Sequence, residues 1–297
     1  MFKFCRFFSV LLGLLVSQVS VAEPIRIVAA ENFYGSIAEQ IGGVYVKVLS
    51  VISHPDQDPH LFTVSPRVAK HIAQADLVVF NGLGYDAWIQ GLLTLPGASH
   101  RVVICVADLT GKKQGANPHI WYDLKTMSVY AGALLAYLAK KDPEHYAIFQ
   151  KNYQQFINQL DQLARLVTSL RKKTVNLNVI ATEPVFGYMA SSLGFIMLGK
   201  AFQQSMMNSI DPTIQQVVAF RNDLQSRRAN ILFYNKQVNS PMVQQLVTLA
   251  KQHAIPVIGV TETQPPHSSY INWMNVSLMK IAQHGLKQVQ SAETGRP

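Results

Sequence analysis

The chain has 297 residues, of which 48% are hydrophobic and 14% charged, with a formal net charge of +9. That balance excludes a disordered chain, which needs low hydrophobicity and high charge, and the two cysteines exclude a disulfide scaffold. Seventeen glycines and fourteen prolines, scattered along the chain, exclude collagen-like sequence, and the length suits about two domains.

The N-terminus carries Lys3 and Arg6, then an apolar run from Phe7 to Val16, then Ser20-Val21-Ala22. This is the pattern of a secretory signal peptide over residues 1–22, with an apolar core too short to span a bilayer comfortably. Its removal leaves 275 residues and lowers the charge by two, to +7. Cys105 is then the remaining cysteine, set in the apolar run Val102 to Val106, so no intramolecular disulfide is expected. Cys5 precedes the apolar stretch and is not placed to become a lipidated first residue. The expected location is therefore the periplasm, without a lipid-anchor cysteine. No later segment approaches 18 consecutive apolar residues, so no membrane insertion is expected after cleavage. The positive residues are dispersed. Their densest run, Arg171-Lys172-Lys173, ends a predicted helix, where positive charge suits the macrodipole, so nucleic acid is not an expected partner.

Short β-branched runs follow at Ile25–Val28, Val46–Ile52, Leu77–Phe80 and Val102–Val106, and again at Val179–Ile180, Ile231–Tyr234 and Val257–Val260. Helical patterns lie between most of them, as at Phe33–Ile41, Pro66–Gln74 and Ser240–His253. The alternation predicts parallel sheets with right-handed crossovers. The middle of the chain differs. Asp142-Pro143 reads as a helix start, and Tyr146, Phe149, Tyr153, Phe156, Leu160, Leu163, Val167 and Leu170 follow at unbroken spacings of three and four. A coiled-coil seam is the rival reading, but the run is short for one. The expected fold is α/β: an N-terminal α/β lobe over 23–141, one long rigid helix over 142–173, and a C-terminal α/β lobe over 174–297, each lobe with a parallel sheet.

Ligands in open α/β sheets bind beyond the carboxyl ends of strands. Four residues stand near such ends or in the loops beyond them: His60 in Asp56-Gln57-Asp58-Pro59-His60, His119 in Asn117-Pro118-His119-Ile120-Trp121, and Glu183 and Glu262 directly after predicted strands. Two imidazoles and two carboxylates suit one divalent first-row ion such as Zn²⁺, Mn²⁺ or Fe²⁺. By spacing alone the signal is weak, because no compact metal motif is present. Each residue also has an ordinary reading as a loop, capping or paired side chain.

Several segments in order resemble the metal-binding solute-binding proteins of zinc/manganese ABC importers, the class with a long helix joining two lobes. They are Glu31-Asn32-Phe33-Tyr34, Asp58-Pro59-His60 with Ser65-Pro66, Asn81-Gly82-Leu83-Gly84, Asn117-Pro118-His119-Ile120-Trp121, Thr182-Glu183-Pro184-Val185-Phe186-Gly187-Tyr188 and Val260-Thr261-Glu262-Thr263. The resemblance implies metal ligation by His60, His119, Glu183 and Glu262, import rather than catalysis, and delivery to a membrane permease; with no oligomer signal in the sequence, a monomer is the default expectation. Glu183 stands where zinc-type members usually have histidine and manganese-type members glutamate. Glu262 stands where many have aspartate. Ligand type leans toward Mn²⁺ or Fe²⁺, while the Irving–Williams order still favours Zn²⁺ over Mn²⁺ in affinity. The stretch Gly111–Ala116 lacks the His- and acid-rich loop that zinc-type members often carry. Asn32 and Asn81 are candidates to orient the imidazoles, and His267 is a candidate at the cleft rim. Tyr188 is expected to pack the start of its helix. The alternative is a secreted metallohydrolase with Glu262 as general base. An adhesin has neither repeats nor a stalk to support it.

Overall fold

The computed structural model describes residues 23–55, 57, 62–94 and 101–286. The signal peptide read from residues 1–22 lies outside them. In the N-terminal half, β1 (Ile25–Glu31), β2 (Val46–Ile52), β3 (Leu77–Phe80) and β4 (Val102–Cys105) form one sheet in the order β2-β1-β3-β4. In the C-terminal half, β5 (Asn178–Ala181), β6 (Ile196–Leu198), β7 (Ile231–Asn235) and β8 (Val257–Val260) form a second, in the order β6-β5-β7-β8. All pairings in both sheets are parallel. Helices cover the sheet faces, so central strands read as unbroken apolar runs, and all four residues of β3 are buried. The sequence reading omitted β6, a three-residue edge strand with Ile196 exposed, too short to leave a periodic signal.

The two halves share one topology. The chain leaves the first strand of each sheet to one side, then crosses to the other. The crevices fall at the carboxyl ends of β1/β3 and of β5/β7. Local chemistry fixes the helices between. α1 (Asn32–Gly42) lies so close to β2 that a Cβ on Gly35 would stand 2.1 Å from the Ser50 hydroxyl oxygen. α2 (Pro66–Gln74) has Pro in its first turn and Ser65 as its cap, with Val68 N donating to Ser65 Oγ at 3.3 Å. In chain order α3 is Ala87–Leu93, α4 Val106–Leu109 and α5 Leu124–Lys141.

The long helix, α6, runs Tyr146–Thr174 and spans about 44 Å at about 1.5 Å per residue. It starts later than the Asp142-Pro143 signal suggests. Pro143–His145 form a 3₁₀ turn instead, because Asp142 accepts from His145 N and Nδ1 while the His145 ring stacks on Tyr45. Phe149, Phe156, Leu160, Leu163, Val167 and Leu170 are buried as the spacing predicts, whereas Tyr146 is exposed. That face is covered by α1, α5, α7 (Gly187–Ser192) and α11 (Tyr270–Lys280), so both halves of the chain occupy the seam a coiled-coil partner would need. The remaining helices are α8 (Lys200–Met207), α9 (Ile214–Gln225) and α10 (Pro241–Gln252).

One apolar core runs through α6 and both sheets. At its middle, Phe33 stacks on Trp121 (4.6 Å between centroids), Tyr122 meets Phe186 and Trp273 edge-on, and Phe186 stacks on Phe233. The hydroxyls of this cluster also cross between halves: Tyr122 donates to Thr261 O and Tyr270 to Trp121 O, both at 2.7 Å. Among the described residues no helix is long and apolar enough to cross a membrane.

Candidate metal centre

The two crevices face each other. Glu183 follows β5 and extends from an open backbone (φ −146°, ψ 158°) into a 3₁₀ turn started by Pro184. Asn235 ends β7, and Glu262 lies just past β8. His119 comes from the N-terminal half, on the loop after α4. Its Nε2 stands 3.7 Å from Glu262 Oε2 across the boundary between the halves, with both residues buried. Thus the structure brings His119, Glu183 and Glu262 to one place. His60 and its neighbours Asp58, Pro59 and Leu61 lie outside the described residues. Among the described residues, no group of three or more His, Cys, Asp or Glu side chains is drawn close enough to hold an ion by itself.

The His119 ring has a fixed orientation. Asn117 Oδ1 accepts from His119 N at 3.1 Å, so its amide oxygen faces the histidine. The Nδ1 of the ring, 2.6 Å from the same oxygen, must therefore donate. In the neutral imidazole this leaves the Nε2 lone pair pointing at the cleft, the arrangement a metal-ligating histidine needs. The Asn117 Nδ2 donates to Pro184 O at 2.7 Å, next to Glu183 in the other half. Asn117 thus joins two candidate ligands across the boundary.

A second amide acts on the carboxylates. Asn235 Oδ1 accepts from Gln237 N at 3.0 Å, which turns the NH₂ toward the acids. That single nitrogen donates to Glu183 Oε2 at 2.7 Å and to Glu262 Oε1 at 2.5 Å. The other oxygen of Glu262 accepts from Tyr85 OH at 3.0 Å. Burial, and then the Glu262 charge, push the Tyr85 phenol well above its ordinary pKa, so it stays a donor. The site holds two carboxylates and an imidazole, a hard, mixed oxygen and nitrogen set that balances the charge of a divalent ion.

Among the described residues, neither Asn32 nor Asn81 hydrogen-bonds an imidazole, and any contact with His60 lies outside them. Asn81 Nδ2 donates to Pro118 O and Gly82 O, and its Oδ1 accepts from Tyr34, so it steadies the backbone before His119. Asn32 donates to Ser53 O and to Gln264 O, and accepts from Gln264 N, which ties β1's end to the loop after Glu262. Tyr188 does more than pack its own helix. It donates to Asn117 O and lies beneath Lys112 Nζ. His267 is exposed at positive φ, on the same loop as Gln264. Tyr85, Asn117, Asn235 and Gln237 were not read as functional. Asn117 had a signal, since an Asn two residues before a backbone N–H is placed to make an Asx turn.

The family model described as ZnuA, "Zinc-uptake complex component A periplasmic", matches residues 27–284. The chain belongs to this family. It is a family of solute-binding transport proteins. The chain is 25% identical to the metal ABC transporter substrate-binding lipoprotein SloC of Streptococcus mutans, over 94% of this chain and 96% of that one. It is 24% identical to the manganese ABC transporter substrate-binding lipoprotein PsaA of Streptococcus pneumoniae, over 93% and 96%. Among solved structures it is similar to a Mn-bound periplasmic metal-binding protein from Candidatus Liberibacter asiaticus, with a TM-score of 0.72, 20% identity and coverage of 86% and 98%. The periplasmic zinc-binding protein TroA of Treponema pallidum superposes with a TM-score of 0.72 at 18% identity, covering 88% and 99%. These two likenesses show the two-lobe fold. The streptococcal names overturn one expectation. The relatives are lipoproteins, which contradicts a periplasmic location argued from a missing lipid-anchor cysteine. That argument rested on an absence near Ala22, and an absence in one segment does not determine how a chain is held.

Proposed function

We propose that this chain captures one divalent first-row ion with His60, His119, Glu183 and Glu262, and delivers it to the membrane permease of an ABC importer, acting as a monomer. The observation that carries the reading is the approach of His119 Nε2 to Glu262 Oε2 at 3.7 Å from opposite halves of the chain. A ring nitrogen with its lone pair aimed at a carboxylate leaves a gap suited to a cation. Three further observations support it. Asn117 sets the ring's tautomer. Asn235 holds two acids together that would otherwise repel. The halves meet over a continuous core, which suits small movements at the site. The division into 23–141, 142–173 and 174–297 accompanies this reading, with the middle segment as a strut.

The donor set of two imidazoles and two carboxylates leans toward Mn²⁺ or Fe²⁺, with Zn²⁺ as the tighter competitor in solution. The hydrolase reading is the weaker one. The family model that matches describes a zinc-uptake component, which does not favour a hydrolase.

Calorimetric titration of metal-stripped protein with Mn²⁺, Zn²⁺ and Fe²⁺ tests the proposal. One ion per chain is expected, with binding lost in His60→Ala and in His119→Ala. Weakening rather than loss is expected in Glu262→Ala. Absence of binding, or sustained metal-dependent turnover of ester, phosphate or peptide substrates, would overturn it.

A further inference from the structure

Strand order places one residue between two of the acids. In the sheet order β6-β5-β7-β8, the strand β7 lies between β5 and β8. Ala181, the last residue of β5, pairs with Phe233, and Val260, the last of β8, pairs with Asn235. Glu183 and Glu262 each stand two residues beyond those strand ends, on either side of the end of β7, which is Asn235. The amide there is buried and held at both its backbone and its oxygen. Asn235 N donates to Thr182 Oγ1 at 3.3 Å, and Asn235 Oδ1 accepts from Gln237 N at 3.0 Å. The NH₂ carries two hydrogens, and from one nitrogen they reach Glu183 Oε2 at 2.7 Å and Glu262 Oε1 at 2.5 Å.

We infer that Asn235 is a positioning residue that presets the spacing of Glu183 and Glu262 in metal-free protein, and thereby narrows the preference for Zn²⁺ over Mn²⁺. This role rests on the import reading above and involves these two acids alone. Two carboxylates side by side and away from water repel each other. A lysine or arginine between them would relieve that repulsion, but its charge would also oppose an arriving cation. The neutral amide relieves it and leaves the full negative charge of the pair for the ion. Both acids are referred to one nitrogen, whose own place is fixed by Thr182 and Gln237. Neither acid can swing inward without giving up its hydrogen bond to that nitrogen. A pliant set of nitrogen and oxygen donors closes around whichever ion it meets, and affinity then follows the Irving–Williams order, with Zn²⁺ above Mn²⁺. A set that resists closing gains least from the smaller, more polarising Zn²⁺. Discrimination then comes from geometry rather than from donor strength.

Two substitutions loosen this clamp to different degrees. Asn235→Leu keeps the bulk and loses both donors. Asn235→Ser keeps a polar group, but a hydroxyl has one hydrogen and cannot hold two acids at once. The Ser variant also serves where the Leu variant does not fold. The measurement is competitive titration of the full chain, stripped of metal, with Mn²⁺ and with Zn²⁺ against a fluorescent chelator, with circular dichroism alongside. Groups that orient metal ligands are worth about 10–100-fold in affinity. We expect Mn²⁺ affinity to fall within that range in both variants and Zn²⁺ affinity to fall less, so that the preference for Zn²⁺ widens about tenfold. A residue that only supports the fold would weaken both ions alike. An unchanged ratio of the two affinities in folded variants therefore overturns the inference and leaves the import reading standing, and so does a ratio that moves toward Mn²⁺. Failure of the intact protein to bind either ion overturns the import reading and the role of Asn235 with it.

Discussion

Asn117 carries two tasks at the scale of a single residue: it holds the His119 tautomer and donates across the boundary to Pro184. Groups that orient a metal-bound histidine are worth about 10–100-fold in affinity. Asn117→Ala is expected to weaken Mn²⁺ binding in that range while leaving the far-ultraviolet circular dichroism unchanged. Full affinity in that variant would mean that the ring is held by packing alone. A second residue-scale feature lies behind the site. Glu31 is fully buried, and neither of its carboxyl oxygens meets a donor among the described residues. It faces Asp86, which accepts from Asn81 N and Gly82 N. Burial, and then the neighbouring Asp86 charge, favour the protonated form of Glu31. Burial raises Glu31 well above its ordinary pKa and brings Asp86 up to about 6. A raised carboxyl pKa favours folding at low pH, below the ordinary carboxyl value. That contribution is lost as pH climbs through about 6. Glu31→Gln supplies an N–H to Asp86 without a proton to lose. Urea unfolding across this pH window should therefore show a shallower loss of stability in the variant. An equal slope in both proteins would show that Glu31 does not contribute to this pH dependence.

At the scale of the element, α6 owes its place to one stripe rather than to helix propensity. Leu163 is buried in the core that both halves share, and Leu163→Ala should cost about 2–5 kcal/mol in urea unfolding. A cost below 1 kcal/mol would mean that the helix is loosely seated. Close packing makes a second test at α1. A methyl on Gly35 collides with Ser50 Oγ on β2. Despite the helix preference for alanine, Gly35→Ala should destabilise by about 1–3 kcal/mol through overpacking. The α6 stripe was legible because spacings of three and four repeat over many turns. Its first turn was not, because the stop after Asp142 depends on Tyr45, a residue distant in the chain that stacks on His145. β6 escaped for a different reason: three residues at a sheet edge do not establish a period.

At the scale of the whole molecule, both halves share one core, so they should unfold together in a single transition. A bound ion adds stability by mass action, about 2.7 kcal/mol at a concentration a hundredfold above Kd. Differential scanning calorimetry should then show one peak that moves to higher temperature with Mn²⁺. Two separated peaks would show that the halves are independent. Tyr122 and Tyr270 fasten the halves beside the site, and α6 braces them along their length. Small-angle scattering profiles of metal-stripped and metal-loaded protein are therefore expected to superimpose. A clear contraction on loading would contradict the strut.

Sequence alone was enough for the layers and for the connecting helix, since hydrophobic periodicity is local and each element repeats it several times. It also nominated His60, His119, Glu183 and Glu262 as candidates, because residues at strand ends and in the loops beyond them fall on one edge of a parallel sheet whatever the details of packing; His60 lies outside the described residues. The convergence of His119, Glu183 and Glu262 was decided only by the tertiary structure. The approach of His119 to Glu262 depends on how two sheets face each other across α6, and no spacing along the chain encodes that. The same holds for Asn117, Asn235 and Gln237. An amide side chain shows its partners only when its two ends are placed, and here those partners lie up to 182 residues apart, as between Gln237 and Pro55. The orientation of each amide follows from backbone groups that tertiary packing alone brings within reach.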